Sequence, residues 1–290
     1  MHRKQRTSVM KKSKTPYATS ISPSITTQYF RKINLLVRKV ASLVRTKVKP
    51  ILIKYSSHVV TDYMIDDAFG LELANAFADI EAEFRLLDKY ALKIATSSLD
   101  QANKYHHQKF ITSFKKTVGI DVKPLLSRSI KINGRNIDKG TYSTVQDAIN
   151  NNVALIKTVP EQHLAKIQEM LYRGLATGTD NQSLYEEVLK INGQNTRRAK
   201  LIARDQMQKL NGVLSMARQQ DIGIVGYVWR TSGDENVRDS HRDNDNMHFQ
   251  WDSPPPETGH PGEDINCRCT AEPDLSKLIP GVASPGLERY

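Results

Sequence analysis

From Thr27 onward apolar residues return every three or four positions through most of this chain, and at Gly223 that rhythm stops. A period near 3.6 forces helices that bury one stripe, so the periodic segments before Gly223 are expected to pack helix on helix. Ile33, Leu36, Val40 and Leu43 form one such face over Thr27 to about Lys49, and Pro50 ends that helix. Leu73, Phe77, Ile80, Phe84, Leu87 and Ala91 form another, predicting one long or two shorter helices within residues 60–118. His106 and His107 on this segment point about 100° apart if helical, so they read as surface histidines rather than a metal pair. A helix is expected over 143–157, and the next starts at Thr158 or Val159 with Pro160 in its first turn. Ser183 and Glu186 read as a capping box for "SLYEEVLKI", and a last, stronger helix runs from Thr196 to Gln219. "GIVGYVWRT" is then the first convincing strand, and His248–Trp251 is a shorter candidate. The fold class is α+β: a mainly helical N-terminal and middle part with a small C-terminal module of strands and loops.

Charge divides the chain differently. Residues 1–61 hold fourteen Lys or Arg and no Asp or Glu, while the remainder, with 28 basic and 31 acidic residues, is close to neutral. Residues 1–24 are polar and basic and are expected to form a disordered tail. Within the helix that follows, Arg31, Arg38 and Arg45 repeat every seven residues opposite the apolar face. With Lys32 and Lys39 they are the candidate DNA-binding residues, held to phosphate by charge. A helix docked on the body, a membrane-surface helix and a transit peptide are the competing readings of the same pattern. On the DNA reading, deleting residues 1–49 is expected to remove binding and spare the C-terminal fold. The polar stretch 128–141 marks a boundary. It separates a helical region with the basic amphipathic helix, 25–130, from a second domain over 131–275, and 276–290 is a tail. No run of about 18 apolar residues is present, so no membrane-spanning segment is expected, and no signal-peptide pattern is found.

The only two cysteines stand one residue apart in "HPGEDINCRC", residues 260–269. In an extended segment residues i and i+2 face the same way, so both sulfurs can reach one ion or one pocket. Cys267 and Cys269 with His241 and His260 would complete a tetrahedral zinc shell that closes a loop-rich end poor in apolar residues. Alternatively the cysteines are small buried hydrophobes, with His241 and Arg238 in a hydrogen-bond network. A disulfide between i and i+2 would be strained. An enzymatic alternative is a metal-dependent nuclease in which Asp234, His241 and His260 hold a cation that activates water.

The order "ARDQ", "GYVWRTSGDENVRDSH", "HPGEDINCRC" resembles the head-morphogenesis domain of Mu F-like phage minor capsid proteins. Arg204 matches the family's helix arginine and Trp229 its strand tryptophan. Asp234, Arg238 and His241 match its middle motif, and His260, Pro261, Asn266, Cys267, Arg268 and Cys269 its last. The resemblance covers about 150–272 and marks 131–275 as the domain concerned. Asn246 stands where family members commonly carry Gly, and Asn is the residue that best tolerates the left-handed turn implied there. The resemblance implies a minor component of a tailed-phage or prophage head and does not by itself imply catalysis, so a structural protein and not an enzyme is expected. Such a protein associates with the portal or major capsid protein and resides in the virion head, after assembly in the host cytoplasm.

Overall fold

The computed structural model describes residues 18–55, 67–85, 88–126, 129–132, 135–177 and 179–277. The expected tails at 1–24 and 276–290 lie outside the described residues for 1–17 and 278–290. Residues 18–22 are not a tail: Ile21 is in the core, and buried Thr19 accepts a hydrogen bond from Asn211 Nδ2 at 2.9 Å.

Ser22 caps α1, Pro23–Lys47, by accepting from Ser24 N, and Pro23 supplies a first-turn φ suited to a helix. Its apolar face is wider than the expected stripe, because Ile25, Tyr29, Val37 and Val44 are buried along with Ile33, Leu36, Val40 and Leu43. At Val48 the chain turns into α2, Lys49–Lys54, so Pro50 opens a short second helix instead of ending helical structure. Two helices, not one, occupy the next stretch: α3, Asp67–Arg85, and α4, Asp88–Thr117. A short α5, Lys123–Leu126, leads into an antiparallel hairpin of β1, Ser129–Ile132, and β2, Arg135–Asp138, which occupies the polar boundary region.

Two long helices carry the rest of the bundle. α6, Lys139–Ala176, runs straight through the expected start at Thr158, with Pro160 inside it. Proline forfeits one helical hydrogen bond, and burial of Ile156, Val159 and Leu164 around it outweighs that loss. α7, Asn181–Asp221, likewise fuses two expected helices. Its cap is Asp180, whose Oδ1 accepts from Ser183 N at 2.9 Å, so Ser183 lies in the first turn and is not the cap. Helix continues past Gly193 because Leu184 and Val188 before it and Ala199 and Ala203 after it enter two packed cores.

One core joins α1, α4, α6 and α7, and the second joins α1, α2, α3, α6 and α7. Both therefore draw on residues before and after position 130. α1 supplies Tyr29, Ile33 and Val40 at zero exposure, so it is a core helix and not a detachable arm. Cutting away residues 1–49 would open both cores, contrary to the expectation that the C-terminal fold survives. His106 also departs from its expected surface position. It is fully buried, with Nδ1 2.6 Å from Arg218 Nη1 and Nε2 3.1 Å from Ser215 Oγ. The angular separation from His107 turns one ring inward.

After α7 comes the small module: β3, Gly226–Arg230; α8, Asp239–Asp243; β4, His248–Gln250; and β5, Thr270–Pro273. They form an antiparallel three-stranded sheet in the order β4-β3-β5. Asn246 turns the β3–β4 connection at φ 65°, the left-handed conformation expected of it. The whole is α+β, helical except for the hairpin and this sheet.

Candidate metal centre

The sheet is strapped to α7 before any site is built. Buried Gln219 donates to Ala271 O at 3.1 Å and accepts from Trp251 Nε1 at 3.1 Å. Asp205 Oδ1 accepts from Asn266 N at 2.7 Å, and Arg204 Nη2 reaches Asn266 Oδ1 at 3.4 Å. Asn266, at φ 58°, makes the left-handed turn that delivers Cys267 to the interior.

There Cys267, Cys269 and His241 meet, each at most 4% exposed, with one ligand atom apiece lying within 4.8 Å of the other two. His241 Nδ1 is 3.6 Å from Cys267 Sγ and 3.4 Å from Cys269 Sγ. Zinc–sulfur and zinc–nitrogen bonds meeting at a tetrahedral angle place S and N roughly 3.6 Å apart. His241 Nε2 is 2.8 Å from Asp264 Oδ2, the carboxylate–histidine arrangement that leaves Nδ1 bare for a metal. That single Nδ1 lone pair faces two thiols, which hydrogen bonding alone cannot serve equally.

The surroundings favour charge on one sulfur and oppose it on the other. Gly262 N–H points at Cys267 Sγ at 3.3 Å. The Cys267 thiol is pulled down by its hydrogen bond with Cys269 and by that N–H, while the same Cys–Cys bond and burial push the Cys269 thiol up. Trp229 Nε1 is buried with no hydrogen-bond partner. The Trp229 ring meets His241 edge-on at 5.4 Å.

Around this point the charged motif residues knit two loops together. Arg268 pairs with Asp234, whose carboxyl it holds below the usual range. Arg238 donates to Ile265 O at 2.8 Å and reaches Asp264 at 3.4 Å. His260, expected as the fourth ligand, is placed elsewhere: its Nδ1 lies 3.0 Å from Tyr227 Oη, and its ring packs 5.1 Å from Trp251. Burial lowers its pKa there. Asp234, His241 and His260 do not converge either, since the three point to Arg268, the cysteines and Tyr227 respectively. Asp264, Gly262, Asp205 and Gln219 were not singled out from the sequence. Asp264 sits inside "GEDINC" and Asp205 inside "ARDQ", so only their position within motif segments could have marked them.

Of the five candidate DNA-binding residues, two are engaged within the bundle. Lys39 pairs with Glu83 at 3.2 Å, and Lys32 Nζ donates to Ser97 Oγ at 3.0 Å. Arg31, Arg38 and Arg45 are exposed and pair with no carboxylate among the described residues.

Residues 165–272, from mid-α6 through β5, match the family described as phage Mu protein F like protein. An uncharacterized protein of Haemophilus influenzae is 33% identical over 221 residues, 73% of this chain and 46% of that relative. The chain thus spans about half the length of the curated relative it matches. No solved structure matches. No described helix is long and apolar enough to cross a membrane.

Proposed function

We propose, from the Mu F-like head-morphogenesis domain at residues 165–272, that this chain is a minor head protein of a tailed phage or prophage, docked on the portal or major capsid protein. The observation that carries the reading is that the matched stretch contains the small module together with its attachment to α7. The matched stretch holds the small module, whose loops Asp234, Arg238 and Arg268 knit together around Trp229, and the part of α7 to which Arg204 joins it through Asn266. Nothing in that web needs turnover; each bond serves shape. Zinc held by His241, Cys267 and Cys269 acts as a clip, supplying cohesion that so small a sheet lacks.

The exposed face of α1 gives the second contact. Arg31, Arg38 and Arg45 lie along about 21 Å of helix and meet packaged DNA through its phosphates. The protein resides in the virion head, reached by assembly in the host cytoplasm. Particles purified from a producing host, analysed by peptide mass spectrometry after cross-linking, test this. The chain is expected in heads, cross-linked to portal or major capsid protein. Heads that lack it, or that assemble normally once its gene is disrupted, sink the reading.

A further inference from the structure

We infer that the metal centre keeps its fourth coordination position open to the adjoining cleft and takes a small oxyanion there, a phosphate or a carboxylate, which rests on zinc being held as proposed above. Three protein ligands leave a tetrahedral ion one position short. Among the described residues, no fourth histidine, cysteine or carboxylate joins His241, Cys267 and Cys269. His260 is turned to Tyr227, and Asp264 bonds the far side of the His241 ring.

The three ligands line a cleft of about 240 Å³ together with Arg204, Arg238 and Arg268. That volume is several times the roughly 30 Å³ share of a water molecule. A divalent ion with two thiolates is formally neutral, so the guanidinium groups decide what enters. Arg238 and Arg268 each spend part of a five-donor fork on a carboxylate, Asp264 and Asp234. Arg204 pairs with no carboxylate among the described residues and reaches only Asn266 Oδ1, at 3.4 Å. An open Lewis-acid position beside planar donors suits a ligand with two or more oxygens, one for the metal and another for the guanidinium. Water satisfies the metal and leaves the donors unmatched.

Full-length protein loaded with Co²⁺ in place of zinc reads this directly, because cobalt's visible bands follow its coordination. At constant ionic strength, inorganic phosphate in one titration and acetate in another are added to wild type and to Arg204→Gln. Saturable change in the bands is expected for wild type with at least one anion, and the anion that saturates first identifies the ligand class. Arg204→Gln is expected to show the same starting spectrum and an apparent affinity weaker by about tenfold. Bands indifferent to both anions overturn the open position while leaving the metal reading standing. Equal affinities in the two proteins overturn the arginine's part. Absence of any cobalt–thiolate band overturns the metal reading, and the oxyanion with it.

Discussion

His163 is fully buried on α6, where Nε2 lies 2.6 Å from Asn192 Oδ1 while Nδ1 has no hydrogen-bond partner. A second proton would place an N–H against nothing that can accept it, and burial lowers the pKa to about 4. His106 is likewise held neutral, first by burial and then by the Arg218 guanidinium beside it. Both folded values lie below the ordinary 6.5, so the unfolded chain binds more protons as the solution acidifies. The stability these rings allow is therefore complete above about pH 6.5 and is lost as pH falls toward 4. For His163 alone the loss amounts to about 3 kcal/mol at the acid end. Chemical denaturation at pH 7, 5.5 and 4.5 is expected to show a falling midpoint, with a shallower fall in His163→Gln. Identical slopes in the two proteins would count against this account. At this scale the two cysteines and His241 were legible, because alternate residues of an extended segment share a face and histidine is a natural companion of thiols. His260 carries the same chemistry but sits against Tyr227 and Trp251, which come to it across a sheet that no short spacing encodes.

Helices announced themselves by period, but their ends did not. Pro160, expected in a first turn, and Thr196, expected at a helix start, lie inside longer helices, because tertiary burial on both sides outvotes local propensity. β5 carried no alternation long enough to read, and it exists because β3 offers it an edge. The attachment of module to helix depends on two glycines that no periodicity marks. A Cβ on Gly212 of α7 would come 2.5 Å from Pro261 O, and one on Gly262, at φ 98°, 2.9 Å from Gln208 O. Backbone thus meets backbone where any side chain would wedge them apart. Gly212→Ala is expected to lower stability by roughly 1–3 kcal/mol despite alanine's better helix propensity. The denaturant midpoint checks it: a gain in stability would show that the contact gives way easily.

For the molecule as a whole, α1 carries both core residues and the exposed arginines of the proposed DNA contact. Each of Tyr29, Ile33, Val37 and Val40 contributes about 1.5–3 kcal/mol by burial, and together they match the net stability of an ordinary domain. Truncation therefore cannot isolate the basic face, and substitution must do so. With roughly six phosphates neutralised, raising salt from about 50 to 200 mM should weaken duplex binding on the order of a thousandfold. Replacing Arg31, Arg38 and Arg45 together by Gln is expected to lower the log–log slope by up to about three units, with folding unchanged, and filter binding across a salt series measures it. A slope that does not move assigns the basic face to an acidic protein. α7 gives the molecule its mechanics. At 41 residues it is a rod about 60 Å long, unbroken from the core beside α2 to the strap at Gln219. That span contains no break in the helix, so one continuous element joins the sheet to the far end of the bundle. In the proposed head, such a rod would couple a neighbour at the sheet to whatever the opposite end touches.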